Sequence, residues 1–208
     1  MRNDIVHEEI VKTYNKISGQ YVQINFEPEF WLEEFQYFEK LIPGKRVIDF
    51  GCGTGRDAIL FTMHGYDYLG IDASSGMLKI ARKKANNAKF KKADLYTLGD
   101  KFQNFDGFWA AASLLHVPKS KIKIVLRSLR KTIKNGGAGF IALKPKLDSI
   151  DEQWVADKRF KDARRFFAYY KVLEFKKLLA EVGFKVVKTS KKLELPENKI
   201  WLCFFVKK

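Results

Sequence analysis

The sequence predicts an α/β protein: a doubly wound, mostly parallel sheet with helices on both faces and a helical extension at its N-terminal end. Three observations carry this. Val47 to Phe50 is a short apolar run that enters Gly51-Cys52-Gly53-Thr54-Gly55, with a glycine at every second position. That is the pattern of a buried strand turning directly into a helix. Downstream, apolar runs of strand length alternate with amphipathic helical runs, as crossover helices on a parallel sheet require. The last two strand-like runs are joined by only a short loop, so they pair as an antiparallel hairpin.

The elements follow in chain order. Residues 1–43 read as a helical cap on a core formed by residues 44–208, with no second domain. Ile5 to Lys16 suggests a first helix, and Pro28 suits the first turn of a second. Phe30, Trp31, Phe35, Phe38 and Leu41 recur at helical spacing, an aromatic stripe read as core packing. After the glycine turn, strands are expected at Tyr66–Ile71, Ala88–Ala93 and Phe105–Ala112. Ile122, Val125, Leu126, Leu129 and Ile133 mark an amphipathic helix, ended by Asn135-Gly136-Gly137 as by a glycine cap. A fifth strand covers Ala138–Leu143, and residues 147–170 are the least regular stretch. Val172 to Val182 forms a helix stopped by Gly183. Strands at Phe184–Thr189 and Ile200–Val206 close the chain, with Pro196 in the turn between them.

Composition narrows the class. The chain has 208 residues, 46% of them hydrophobic, enough for a substantial core and against disorder. No 18-residue apolar run occurs and Met1-Arg2-Asn3-Asp4-Ile5 lacks the apolar stretch of a signal peptide, so a cytoplasmic protein without membrane contact is expected. Cys52 and Cys203 lie far apart and are read as reduced thiols; His7, His64 and His116 are scattered, so no metal site is expected. The net charge of +15 is concentrated in residues 119–192, which carry 21 basic and 7 acidic side chains. Such a field favours anionic partners, RNA among them. Equally, lysine outnumbers arginine 30 to 9, and many lysines alternate with apolar residues as on solvated helix faces. A monomer is the default.

The glycine turn is a nucleotide-type site. Glycines let backbone approach a ligand closely, and the helix that follows presents free N–H groups. The dinucleotide fingerprint Gly-x-Gly-x-x-Gly is not met: the spacing is Gly51-x-Gly53-x-Gly55, with Asp49 before it and Arg56 where that fingerprint has glycine. An acid, Asp72, ends the next strand 21 residues after Gly51, placed to accept from ribose hydroxyls. Gly70-Ile71-Asp72-Ala73-Ser74-Ser75-Gly76-Met77-Leu78 continues into a helix capped by Ser74 or Ser75. The third strand ends at Asp94-Leu95 and the fourth runs into Ser113-Leu114-Leu115-His116-Val117-Pro118.

These four stretches, in this order, resemble the motifs of class I S-adenosylmethionine (SAM)-dependent methyltransferases, and the resemblance covers about residues 45–208. It implies seven strands in the order 3-2-1-4-5-7-6 with the last strand antiparallel, SAM as cofactor and S-adenosylhomocysteine as product. It implies that Asp49, Gly51, Gly53, Gly55, Asp72, Ala73, Met77 and Ala111 surround the cofactor. Asp94 would accept from the adenine amine and the Leu95 N–H would donate to the ring. Arg56 reaches the cofactor carboxylate or simply covers its helix face. Tyr14 and Tyr21 lie between the first two helices, where related methyltransferases fold a segment over the cofactor. A tyrosine face near the sulfonium is attractive, as is ordinary burial of each ring.

Methyl transfer is an in-line displacement at carbon with a neutral thioether leaving, so proximity and alignment dominate and a base is optional. His116, beyond the fourth strand, is the candidate base; the alternative is that it packs the loop before Pro118. Arg164, Arg165, Tyr169 and Tyr170 would bind an anionic or aromatic acceptor, or else belong to a solvated helix with an aromatic core face. No Asn/Asp-Pro-Pro-Tyr/Phe motif follows the fourth strand, where Ala111-Ala112-Ser113-Leu114 stands. That argues against adenine amino-methylation, and the absence of a Pro-Cys pair argues against attack at cytosine C5. The expected reaction is methylation of a small-molecule acceptor, with RNA or protein methylation or a non-catalytic SAM-binding module as alternatives.

Overall fold

The computed structural model describes residues 2–98, 101–195 and 198–208; the expected turn at Pro196 lies outside the described residues. Helix α1 (Arg2–Asn25) is followed by a 3-10 turn at Pro28–Trp31 and by α2 (Leu32–Leu41). The core then runs β1 (Arg46–Phe50), α3 (Arg56–Met63), β2 (Asp67–Asp72), α4 (Ser75–Lys84), β3 (Lys89–Lys92) and β4 (Phe105–Ala111). It continues through α5 (Lys119–Thr132), β5 (Ile133–Leu143), β6 (Glu152–Ala156), β7 (Arg164–Ala168), α6 (Val172–Glu181), β8 (Lys185–Glu194) and β9 (Lys199–Lys207).

The sheet has seven strands in the order β3-β2-β1-β4-β5-β9-β8, with β6 and β7 forming a separate two-stranded ribbon. Without that ribbon the order is the expected 3-2-1-4-5-7-6. The first five strands are parallel, and β9 enters antiparallel between β5 and β8. Alternation along β1 explains the two-sided core. Ile48 and Phe50 face Phe108, Leu126, Ile141 and Phe204 on one side. Val47 faces Phe38, Phe61, Trp109 and Phe140 on the other. The aromatic stripe of α2 is core, as expected: Phe35 and Phe38 are fully buried.

Three elements differ from the sequence reading. First, α1 is a single helix of 24 residues rather than one ending at Lys16. Gly19 leaves the helix intact because α1 packs against α4 and β7, and tertiary packing outweighs one glycine. Second, α5 stops at Thr132, and Asn135-Gly136-Gly137 belongs to β5 instead of capping the helix. Ile133 already pairs with Phe105, the register then shifts, and Gly107 pairs with Ala138. Gly136 has φ 78° in the irregularity. A Cβ on Gly137 would stand 2.9 Å from the Asp106 and Lys134 carbonyl oxygens. Third, the stretch expected to be irregular holds the β6–β7 ribbon. Three successive residues of β6 are half-buried and no residue of β7 but its first is exposed, so no alternation between core and solvent marks it.

The ribbon matters for the site. Its tip turns over residues 157–163, where Phe160 is buried against Ile17, Met77 and Ala163. Thr13 Oγ1 donates to the Arg164 carbonyl at 3.2 Å, and Glu9 pairs with Arg164 at 2.8 Å. Helix α1 and the ribbon together roof the carboxyl edge of the sheet.

Candidate cofactor cavity

A cavity opens at the carboxyl ends of β1, β2 and β4, where ligands bind in open α/β sheets. Its floor is the glycine turn. Gly51, Gly53 and Gly55 all have positive φ, at 76°, 54° and 80°, which only glycine adopts freely. The Gly51 and Cys52 amides donate to the Ile71 carbonyl at 2.8 and 3.0 Å, which ties the turn to β2. Asp72 at the end of β2 holds both neighbours: Oδ2 accepts from the Gly53 amide at 2.9 Å and Oδ1 from the Ser74 amide at 2.8 Å. Ser74 caps α4 by accepting from the Met77 amide at 3.1 Å. Above it, Asn15 Oδ1 on α1 accepts from Ser74 Oγ and from the Gly76 amide, both at 2.8 Å.

The floor is acidic. Asp49, Asp57 and Asp72 line the cavity, and Arg56 is the one lining Lys or Arg among the described residues. Arg56 already forks onto Asp57, Nε to Oδ1 at 2.5 Å and Nη2 to Oδ2 at 3.0 Å. Trp109 Nε1 also donates to Asp57 Oδ2 at 2.9 Å. Asp49 is 2% exposed, and the Tyr68 hydroxyl donates to its Oδ2 at 2.5 Å. Burial, followed by the charge of Asp57, pushes the Asp49 carboxyl well above its ordinary range. Burial likewise raises Asp72, against the lowering effect of the Ser74 and Gly53 amides.

Under the roof, His116 Nδ1 lies 2.6 Å from the Phe166 carbonyl of β7, and Nε2 lies 2.7 Å from the Tyr14 hydroxyl. A carbonyl can only accept, so Nδ1 carries the proton and the Tyr14 hydroxyl donates to Nε2. Burial, aided by the charge of Arg165, pulls the ring down to about 3. Stability from this neutral histidine is therefore fully present above about 6.5, its ordinary value, and is lost as pH falls towards about 3. We expect the melting temperature of the wild type to fall more steeply between pH 6.5 and 4 than that of His116→Gln. Parallel melting curves would contradict this placement.

Most residues expected around a ligand line this one cavity: Tyr14, Tyr21, Asp49, Gly51, Gly53, Arg56, Asp72, Ala73, Met77, Leu95, Ala111 and His116. Tyr14 and Tyr21 share the continuous α1, with ring centroids 5.7 Å apart. Others stand elsewhere. Gly55 packs helix on helix, since a Cβ there would meet Ala81 at 3.1 Å. Asp94 turns away: its carboxylate pairs with His7 Nε2 at 3.0 Å and accepts from the Tyr96 amide at 2.8 Å. Burial opposes these bonds, but they hold its carboxyl below the usual range. It faces an adjoining surface pocket instead.

Of the four residues expected at the acceptor, none lines the cavity. Tyr170 is wholly buried in the core, its ring 4.9 Å from Phe175 of α6, the helix that the adjoining Lys171 caps. Arg164 is spent on Glu9 at the roof surface, and Tyr169 Oη accepts from Gln153 at 3.0 Å. Arg165 comes nearest, with Nη1 3.5 Å from the Tyr14 hydroxyl. The sequence reading missed Asp57, Asn15, Trp109 and Ser113. Asp57 resembles any acid in a helix's first turn, and Asn15 any polar helix residue, so neither carries a visible signal. Ser113 follows Ala112, which holds φ 59° without being glycine. Its buried Oγ has no hydrogen-bond partner among the described residues and lines the cavity.

Residues 47–137, from β1 into β5, match the family model of a methyltransferase domain. Over that stretch the chain is similar to a methyltransferase domain, and its strand order is that of the Rossmann-like methyltransferase fold. An O-methyltransferase of Pyrenophora dematioidea is 28% identical over 152 residues, covering 70% of this chain and 56% of that protein. The glycine N-methyltransferase of Mus musculus is 30% identical over 110 residues, 44% of this chain and 38% of that one. The chain thus spans about half the length of these curated relatives. Among solved structures, a 1,6-didemethyltoxoflavin-N1-methyltransferase of Burkholderia thailandensis, bound to 1,6-didemethyltoxoflavin and S-adenosylhomocysteine, superposes with TM-score 0.74. It is 18% identical and covers 99% of this chain and 88% of its own. A SAM-dependent methyltransferase of Methanosarcina mazei gives TM-score 0.73 at 16% identity, covering 83% and 96%. At these identities the likeness is one of methyltransferase fold. Among the described residues no helix is long and apolar enough to cross a membrane, and no cluster of three or more His, Cys, Asp or Glu is gathered as for a metal.

Proposed function

We propose that this methyltransferase domain binds SAM in the cavity and transfers its methyl group to a small-molecule acceptor. The observation that carries the reading is the acid excess of the floor. Asp49, Asp57 and Asp72 face only Arg56 among lining Lys and Arg side chains, and Asp57 already binds that guanidinium. Such a site suits a ligand with a sulfonium and an ammonium and repels the pyrophosphate of a dinucleotide. The glycine cradle agrees, because a Cβ on Gly53 would meet no atom within 4 Å.

When bound, SAM supplies an electrophilic methyl on sulfur with a neutral leaving group. The chain does the rest. Asp72, with lone pairs left beyond its two amide bonds, would accept from the ribose hydroxyls. Asp49 would hold the ammonium, Met77 and Leu95 would flank the adenine, and Tyr14 and Tyr21 would cover the cofactor from α1. His116, held neutral at about 3, is a weak base near neutral pH. Its part is to orient the Tyr14 hydroxyl. O-methyltransferases and a glycine N-methyltransferase among the similar proteins favour a small acceptor. An RNA acceptor would instead show binding that falls steeply with salt.

Calorimetric titration of the purified chain with SAM, S-adenosylhomocysteine and NADH tests the reading. Micromolar binding of the first two and none of NADH is expected; binding of NADH alone would reject it. A variant sharpens the charge argument. A carboxyl raised by burial stabilises the fold only at low pH, and that contribution is lost as pH rises through the raised value. Asp49→Asn should therefore melt higher than wild type at neutral pH without ligand, yet bind SAM about 1–3 kcal/mol more weakly. A variant that neither melts higher nor binds more weakly would remove Asp49 from the site.

A further inference from the structure

Two cationic side chains near the cavity carry buried N–H groups with no hydrogen-bond partner among the described residues. Lys144 follows β5 at the sheet's carboxyl edge: two residues earlier, Ala142 pairs with the cavity-lining Ala111. Its Nζ sits 3.5 Å from the centre of the Trp201 ring and has no hydrogen-bond partner among the described residues. Arg165 on β7 pairs through Nη2 with Asp157, and its Nη1 lies 3.5 Å from the Tyr14 hydroxyl on the cavity wall. Its Nε is buried and also without a hydrogen-bond partner.

The nearby carboxylates are already engaged. Asp157 holds Arg159 as well as Arg165, and Glu194 Oε2 accepts from Trp201 Nε1 at 2.8 Å. Burial is the main influence on the Lys144 amine. Glu194 opposes it, Lys199, Arg165 and Arg159 add to it, and the amine falls to about 8. These cations therefore share one field that no acid fully cancels. A buried donor left unmade is unfavourable unless a ligand completes it.

We propose that Lys144 and Arg165 form an anion-receiving wall of the acceptor site, so that the acceptor is a small molecule bearing a carboxylate or phosphate. This rests on the methyl-transfer reading. The division of charge then sorts two ligands: the cationic cofactor goes to the acidic floor and the anionic acceptor to the roof. Arg165 reaches Tyr14, so an anion held there presents the rest of the acceptor towards Tyr14 and His116.

The test is calorimetric titration of the full chain, with and without saturating S-adenosylhomocysteine, using benzoate, phenyl phosphate and neutral benzamide. At least one anion should bind tenfold or more tighter than benzamide, and which one does so distinguishes carboxylate from phosphate. Lys144→Met, which keeps the packing on Trp201 and removes the amine, should lose that preference at least tenfold. Its affinity for S-adenosylhomocysteine should stay within twofold of wild type, and its melting temperature should hold or rise. Arg165→Met should lose the preference as well, and Lys144→Gln replaces Lys144→Met if the latter fails to fold. Parity between the anions and benzamide, or an undiminished preference in the folded Lys144 variant, would overturn the proposal. Failure of S-adenosylhomocysteine to bind would instead strike the cofactor reading, and the titration without it still reads the wall.

Discussion

Gly53→Val should abolish measurable SAM binding, a loss of at least about a hundredfold, or roughly 2.7 kcal/mol, while the chain still folds. The three glycines of the turn are required for different reasons. A Cβ on Gly51 would stand 2.5 Å from Ser113 Cβ, and one on Gly55 would press on Ala81 and Phe90 at 3.1–3.2 Å. Substitution at either disturbs packing first. At Gly53 there is nothing within 4 Å, so the added side chain extends into free space on the cavity floor. The fold bears only the strain of φ 54°, on the order of 1–2 kcal/mol for a residue with a Cβ. Calorimetry together with circular dichroism separates the two effects. Wild-type affinity in a folded Gly53→Val chain would mean that the turn does not touch the cofactor.

The largest effect on stability is expected at Trp109. Its ring stacks on Phe140 at 4.0 Å and meets Phe38 and Phe61 edge-on at 5.4 Å. Its Nε1 is also a donor to the buried Asp57. Trp109→Ala should cost roughly 3–5 kcal/mol from the cavity alone. Trp109→Phe keeps most of the packing but leaves an Asp57 oxygen short of a donor, which should cost about 1–3 kcal/mol. Denaturant unfolding of the two variants measures both. If Trp109→Phe were as stable as wild type, the indole–carboxylate bond would contribute nothing. Asp57 also grips Arg56, so Trp109→Phe should loosen the cavity floor and not the core alone.

These two residues show how legibility divides. Gly53 and Asp72 could be read because a sharp turn and a strand-end acid leave a spacing in the sequence that backbone chemistry demands. The strands themselves could be read from runs such as Ala138–Leu143, without a polar side chain, and Val47–Phe50, apolar but for Asp49, as strands buried on both faces must be; their order was implied by the family resemblance. Trp109 could be seen as a core residue, but not as a donor to an acid 52 positions earlier. Asn15 and Lys144 were invisible for the same reason: each acts across the fold, and a polar side chain at one position does not announce a distant partner. The β6–β7 ribbon escaped because Trp154, Arg165 and Phe167 are half-buried on a roof rather than alternating between core and solvent. The misplaced end of α5 came from reading Gly136 and Gly137 as a helix stop, when Gly136 supplies the positive φ of the irregularity and Gly137 relieves crowding beside Asp106 and Lys134.

Asn15 gives the roof a consequence beyond shape. One carboxamide oxygen on α1 completes the first turn of α4, through Ser74 Oγ and the Gly76 amide. Gly76 is tuned to this approach, since a Cβ there would meet Ser18 Oγ at 2.9 Å and Asn15 itself at 3.1 Å. Were α1 to lift, the Ser74 cap would remain on the Met77 amide, but Ser74 Oγ and the Gly76 amide would lose their acceptor in the first turn of the helix that carries Met77, one wall of the same cavity. An occupied site, in turn, tightens the joint between two segments sixty residues apart in the chain.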